Sequence, residues 1–425
     1  MNLLQRFKKD YFNYLVSIII PAFINAVSIP LFKRILGPEG YGYFSISFNS
    51  LLLLASLLTS WIMQSVLRYS PMVSDRRSFV KKALLLSVIT QTLFFLPTVF
   101  SVYYLKTDWL FAIIFGVSLF IVSVQYVTVS ISQSFFLSGK NIFSELIRSV
   151  AYIATGLILL TATGIYYMYS LFAGIFISFL LSGLYLLVQT KKELAARPPG
   201  DADSKELRQL FRSFLSYGGP ISLWFVCSYS ITLVDKYFML HSLGANQQGN
   251  YQALFDLLSR SIMLLCSPVV ISLFPLITVA YQANKTHDIK RLLTKVIVIE
   301  LVVLVAAQIA YWWFGASILS ALIKIPATTE YKLIGELIIT GAFLWQIGIV
   351  VHKYYEMKFK NGHLLAMIAI AFISQLILYW LLNKNTNPLL YPAGYVLSSL
   401  VYLMLVSAGV FRSFLSLTKN NRSLS

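Results

Sequence analysis

About twelve apolar stretches, each about long enough to cross a bilayer, fill nearly all of this chain of 425 residues. They fall at roughly 11–32, 42–67, 83–105, 109–137, 145–164, 167–189, 217–240, 249–274, 296–316, 333–355, 363–382 and 391–411. A crossing needs about 20 helical residues, so about twelve crossings take about 240 and leave room for short loops but not for a soluble domain. Backbone polar groups must be satisfied internally in lipid, and the alternating pattern of barrel strands is absent, so the stretches are read as helices. The composition agrees: 58% of residues are hydrophobic and 12% charged, where a soluble domain carries about 25% charged residues. The sequence therefore predicts an all-α integral membrane protein.

The net charge of +18 sits in the short segments between apolar runs, which reads as membrane topology rather than a nucleic-acid face. Of 34 Lys and Arg residues, 26 fall on the set of segments that includes the N-terminus and seven on the opposite set. The positive-inside rule then places both termini in the cytoplasm. The run from Tyr11 to Phe32, behind Arg6, Lys8 and Lys9, is too long for a signal peptide and is expected as a retained first helix. Cys227 and Cys266 are isolated, and the four histidines have no metal-ligand spacing, so no metal or resident cofactor is expected.

The most hydrophilic stretch, 190–216, contains Arg197-Pro198-Pro199-Gly200-Asp201 and reads as a cytoplasmic linker. It divides an N-terminal lobe at 1–189 from a C-terminal lobe at 217–425, each with six helices. The lobes share a weak repeat. Leu36-Gly37-Pro38-Glu39-Gly40-Tyr41-Gly42-Tyr43-Phe44 follows the first span. Leu243-Gly244-Ala245-Asn246-Gln247-Gln248-Gly249-Asn250-Tyr251 follows the seventh. Both lobes start on the same side, so the repeat is parallel, an arrangement suited to alternating access.

Arg260 stands out among candidate functional residues. It lies about 16 Å along the eighth span from its outer end, where a cation costs at least a few kcal/mol unless it has a use. It is read as a ligand for an anionic group, or as the structural partner of Asp256 one helical turn earlier. Lys33 and Arg34 end the first span and Arg68 ends the second. They are read either as a basic track towards the same site or as snorkelling cations. Glu300, with Asp256 and Asp235, is a candidate for proton or sodium coupling. Glu300 also fits a carboxylate favoured near a helix N-terminus, and Asp235-Lys236 fits a local ion pair. Gly218-Gly219-Pro220 opens the seventh span as a candidate hinge.

The first loop, Leu36-Gly-Pro-Glu-Gly-Tyr-Gly-Tyr-Phe-Ser45, resembles that of the polysaccharide-exporter branch of the multidrug/oligosaccharidyl-lipid/polysaccharide (MOP) flippase superfamily. So does Asp235-Lys236-Tyr-Phe followed by Leu243-Gly-Ala-Asn-Gln-Gln-Gly-Asn-Tyr251. The resemblance covers the chain in order and in span spacing. It implies two six-helix lobes around a cationic cavity in a bacterial cytoplasmic membrane. It also implies an undecaprenyl-pyrophosphate-linked oligosaccharide as substrate, with Arg260 matching the cavity arginine, and a polysaccharide polymerase and chain-length regulator as partners besides membrane lipids. The acids reproduce no sodium-site motif. Three other classes are weighed. They are a MATE-like antiporter of cationic small molecules on the same fold, a membrane-bound polysaccharide polymerase or ligase, and a structural scaffold. Short outer loops disfavour the enzymes, and a duplicated helical core disfavours the scaffold.

Overall fold

The computed structural model describes residues 3–70, 73, 75–106, 108–135, 137–162, 166–195, 207–282, 285–358, 360–382 and 387–422. The apolar runs fold as helices α1 (Leu3–Tyr69), α2 (Arg76–Lys106), α3 (Trp109–Ser134), α4 (Ser138–Ala162), α5 (Tyr167–Ala195), α6 (Leu207–Gln282), α7 (Thr286–Ser317), α8 (Thr329–Met357), α9 (Asn361–Leu381) and α10 (Leu390–Arg422). A π-helical turn, Ile318–Ile323, continues α7. Among the described residues nine helices are long and apolar enough to cross a membrane, so the chain is a multi-pass membrane protein.

Two of the long elements are pairs of helices joined across a kink. In α1 the kink is Gly37 (φ 71°, ψ 171°) and in α6 it is Gly244 (φ 81°, ψ 168°). This backbone region is essentially closed to residues with a Cβ. The leading glycine of each repeated Leu-Gly motif thus adopts the same conformation, which explains why both loops begin alike.

The second glycine of each motif has a different task. A Cβ on Gly249 would overlap the Pro38 carbonyl and meet Gly42 N at 3.2 Å. A Cβ on Gly42 would meet Gly249 Cα at 3.2 Å and run into Gln248. The two copies of the repeated loop therefore pack backbone against backbone, the small-residue contact by which helices in lipid approach closely.

Contacts within the chain group it into two units, 1–28 with 47–226 and 29–46 with 227–425. The first loop motif thus belongs with the second unit. In the first unit, Trp61, Ile62 and Val66 of α1 pack with Phe79 and Val80 of α2, Val127 and Ile131 of α3, and Leu210 and Phe214 of α6. Gly218 belongs to this packing, since a Cβ there would overlap the Trp61 backbone. In the second unit, tyrosines rest on glycines of neighbouring helices. Tyr311 of α7 covers Gly335, and Tyr395 and Tyr402 of α10 cover Gly341 and Gly348, all on α8.

The ends of the predicted linker are helical. Thr190–Ala195 completes α5 and α6 starts at Leu207. Leu210 and Phe214, one turn apart, give this polar stretch an apolar stripe that packs in the core. The Arg197–Asp201 part of the linker lies outside the described residues.

Candidate functional site

Four polar residues stand one turn apart along α6: Gln248, Gln252, Asp256 and Arg260. Gln248 and Gln252 are fully buried, and among the described residues none of their four amide atoms has a hydrogen-bond partner. Neither glutamine stands out in the sequence, because both sit where the loop motif passes into the span. The four-residue spacing towards Asp256 and Arg260 is the signal that identifies them.

Asp256 is buried and accepts hydrogen bonds at Oδ2 from the Tyr41 hydroxyl at 3.0 Å and the Ser45 hydroxyl at 3.4 Å. Both donors lie just beyond the Gly37 kink, in the segment grouped with the second unit. The i,i+4 spacing pointed to an Arg260–Asp256 pair. Among the described residues the guanidinium instead has no ion pair within 4.0 Å and no hydrogen bond. Arg260 is half-buried.

Asp235 and Lys236, adjacent in α6, are both fully buried. Their side chains do not form the local ion pair expected from the sequence. Asp235 Oδ2 accepts from the Tyr251 hydroxyl at 2.8 Å and Oδ1 from the Lys236 backbone N–H at 2.8 Å. The Lys236 ammonium lies 5.4 Å from the centroid of the Phe255 ring, in cation–π range. Asp256, Asp235 and, with opposite sign, Arg260 are its charged neighbours. Two carboxylates and two cations thus share one aromatic-lined region of the second unit. At the equivalent positions of the first repeat stand Ser28, Ile29, Asn49 and Leu53, so the charges are confined to the second copy.

The remaining predicted residues lie in other surroundings. Lys33 Nζ donates to the Ile323 carbonyl at 2.8 Å, and Arg34 donates to the Ala321 carbonyl at 2.8 Å. They cap the π-helical turn that closes α7, whose next residue, Lys324, is left-handed at φ 59°. Cations are favoured at such carbonyl-rich ends, which accounts for two basic residues on the side where few occur. The Arg68 guanidinium lies 4.2 Å from the Tyr217 ring centroid and 5.6 Å from that of Tyr69. Gly218, Gly219 and Pro220 run inside continuous helix in α6.

Glu300 is buried well past the first turn of α7, so the helix-N-terminus reading does not apply. Among the described residues neither of its carboxylate oxygens has a hydrogen-bond partner. A second polar cluster joins α8 to α10. His352 bonds Tyr402 Oη through Nδ1 at 2.8 Å and Glu356 through Nε2 at 2.6 Å, and Lys353 Nζ reaches Glu356 at 2.8 Å. Among the described residues no group of three or more His, Cys, Asp or Glu side chains is placed to hold a metal.

Comparison with known proteins follows the same lines. The sequence model of a family described as polysaccharide biosynthesis protein matches residues 7–280. Among curated proteins no sequence matches. Similar solved structures include an inward-facing multidrug-resistance MATE family transporter of the MOP superfamily (TM-score 0.72, 15% identity, 96% of this chain and 99% of that one). An outward-facing multidrug-resistance MATE family transporter gives a TM-score of 0.70 at 14% identity, over 96% of each chain. A MOP superfamily transporter from Pyrococcus furiosus gives 0.71 at 13% identity, over 94% of this chain and 95% of that one. Its binding pocket is described as reversed in polarity, suggesting a different function. The fold is thus that of MOP superfamily transporters.

Proposed function

Because this chain belongs to the polysaccharide biosynthesis protein family, we propose that it is a flippase for an undecaprenyl-pyrophosphate-linked oligosaccharide. In this reading the lipid-linked repeat unit of an O-antigen, capsule or exopolysaccharide crosses a bacterial cytoplasmic membrane by alternating access, both termini of the chain being cytoplasmic. The inward-facing and outward-facing conformations of the similar multidrug-resistance transporters support such a cycle.

The observation that carries the reading is Arg260, a half-buried guanidinium in a membrane helix with no ion pair among the described residues. Such a cation is costly unless it meets an anion. A pyrophosphate offers several acceptor oxygens, and Arg binds them in a forked, charge-assisted geometry. The polyprenyl tail stays in lipid while the pyrophosphate and sugars need a polar route, for which Gln248 and Gln252 add amide groups about two to three turns before the cation on the same helix. Coupling is assigned to H+ or Na+, with Asp235, Asp256 and Glu300 as the acids. Glu300 has the surroundings of a proton carrier, because an ionised carboxylate with no hydrogen bonds is expensive to bury. The polymerase and chain-length regulator act on the delivered repeat unit.

Arg260→Ala tests the proposal in cells. Surface polysaccharide is expected to disappear and lipid-linked oligosaccharide to accumulate while protein abundance holds. Normal export by this variant overturns it. The rival reading, an ion-coupled antiporter of cationic small molecules, draws on the multidrug transporters of the same fold and on the buried Asp235 and Asp256. It requires drug sensitivity on deletion with no polysaccharide defect. The transporter fold weighs against a polymerase or ligase.

A further inference from the structure

Arg260 and Asp256 occupy one face of α6 a single turn apart, the spacing at which an arginine and an aspartate pair in isolated helices. They do not pair here, and the structure contains a reason. Asp256 Oδ2 takes the Tyr41 hydroxyl at 3.0 Å and the Ser45 hydroxyl at 3.4 Å. Tyr41 and Ser45 are themselves one turn apart on α1 and are buried with Asp256. The other charged groups of the region are Lys236, held over Phe255, and Asp235, both on the part of α6 before the Gly244 kink. The carboxylate is thus engaged by a second element, and among the described residues it forms no ion pair with the guanidinium that follows it.

We propose that Tyr41, with Ser45, is a positioning pair for the anion site: by engaging Asp256 it holds the Arg260 guanidinium open for a pyrophosphate headgroup. The inference rests on the reading of Arg260 given above and extends it to residues that touch no substrate. Without the two hydroxyls, Asp256 is left to Arg260, one turn along its own helix face, and to Lys236, which is held over Phe255. The resulting internal pair would compete directly with the incoming anion. The equivalent position of the first repeat carries Asn49 where the second carries Asp256, so the competition arises only in the copy that holds the arginine.

The experiment is a thermodynamic cycle on the purified full chain in detergent, with farnesyl pyrophosphate as the probe and inorganic pyrophosphate as its competitor, read by isothermal titration. The Y41F/S45A variant is expected to bind farnesyl pyrophosphate about tenfold more weakly than the wild type, the scale of one charge-assisted hydrogen bond. Adding D256N to Y41F/S45A is expected to restore most of that loss, because the competing carboxylate is gone. A merely structural role for the hydroxyls predicts no rescue, so persistent weak binding in the D256N background overturns the proposal. Wild-type affinity in Y41F/S45A overturns it equally. R260Q separates the two levels. If R260Q binds as tightly as the wild type, the anion-site reading itself falls. If R260Q loses binding while Y41F/S45A keeps it, only the positioning role falls. Displacement by inorganic pyrophosphate identifies the headgroup, rather than the isoprenoid tail, as the bound part. Failure of inorganic pyrophosphate to compete counts against the anion site.

Discussion

Replacing one hydrogen by a methyl group at Gly249 is expected to be among the most damaging small changes in this protein. A Cβ there would overlap the Pro38 carbonyl oxygen, with the Pro38 carbonyl carbon and Gly42 N next in line. All three are backbone atoms, so no side-chain rotation relieves the collision and the two loops must separate. Over-packing a tight site costs about 1–3 kcal/mol, and a clash with fixed backbone belongs at the upper end, about 3 kcal/mol. For a unit of about 200 residues each kcal/mol lowers the melting midpoint by about 2–4 °C, so Gly249→Ala is expected to lose about 6–12 °C. The assay is the fraction of protein that remains monodisperse on size exclusion after heating in detergent. Gly244→Ala isolates the other demand of the motif. Nothing lies within 4 Å of its Cβ, yet φ is 81°, so about 1–3 kcal/mol of backbone strain is expected. Gly139→Ala has open space and no positive φ and should be neutral or slightly stabilising. Gly249→Ala with the midpoint of the Gly139→Ala control would refute the backbone contact between the two loops.

Two other expectations concern single side chains. Lys33→Met removes the 2.8 Å bond to the Ile323 carbonyl and leaves a buried acceptor unmet. It is expected to destabilise by about 1–3 kcal/mol while transport per folded molecule is retained, whereas a substrate-contacting lysine would show the reverse. Asp108 caps α3 by accepting from Phe111 N at 3.0 Å and also takes the Tyr169 hydroxyl at 2.6 Å. Asp108→Ala is expected to cost about 0.5–2 kcal/mol in thermal scans. The Tyr169 hydroxyl, and then the Phe111 amide, hold the Asp108 carboxyl below its ordinary value of 3.8. The stability it confers is therefore complete above that value and is lost as pH falls through the lower folded-state value. The difference between wild type and Asp108→Ala should narrow only on the acid side, and a gap that stays constant into that range would count against the carboxylate as the cause.

Much of the architecture is legible because lipid imposes one rule along the whole chain, and the apolar runs state it plainly. The repeated Leu-Gly motif is legible as well, but its meaning is not. Nothing in the letters says that Gly37 and Gly244 serve the backbone while Gly42 and Gly249 serve a contact between the copies. The site is less accessible for a related reason. Local spacing nominates Asp256 as the partner of Arg260, and two hydroxyls from the far end of the sequence take that carboxylate instead. Lys33 and Arg34 are legible only as exceptions to the charge bias, because the carbonyls they bind belong to a helix end near residue 323. Gln248 and Gln252 carry a readable four-residue signal, obscured where loop and span overlap.

The repeat also separates packing from chemistry. Residues that match between the two copies, the paired glycines and the aromatic that follows them, are those the backbone geometry requires. Residues that differ fall where the charges are: Ile29 against Lys236, Asn49 against Asp256, Leu53 against Arg260. The first copy holds its helix with neutral side chains at these positions, so the fold does not need charge there. Charge kept only in the second copy, at a cost of at least a few kcal/mol, fits the anion site proposed above. Within this cluster Arg260 has neither an ion pair nor a hydrogen bond among the described residues, and in the proposed site the hydroxyls of Tyr41 and Ser45 on Asp256 keep it so.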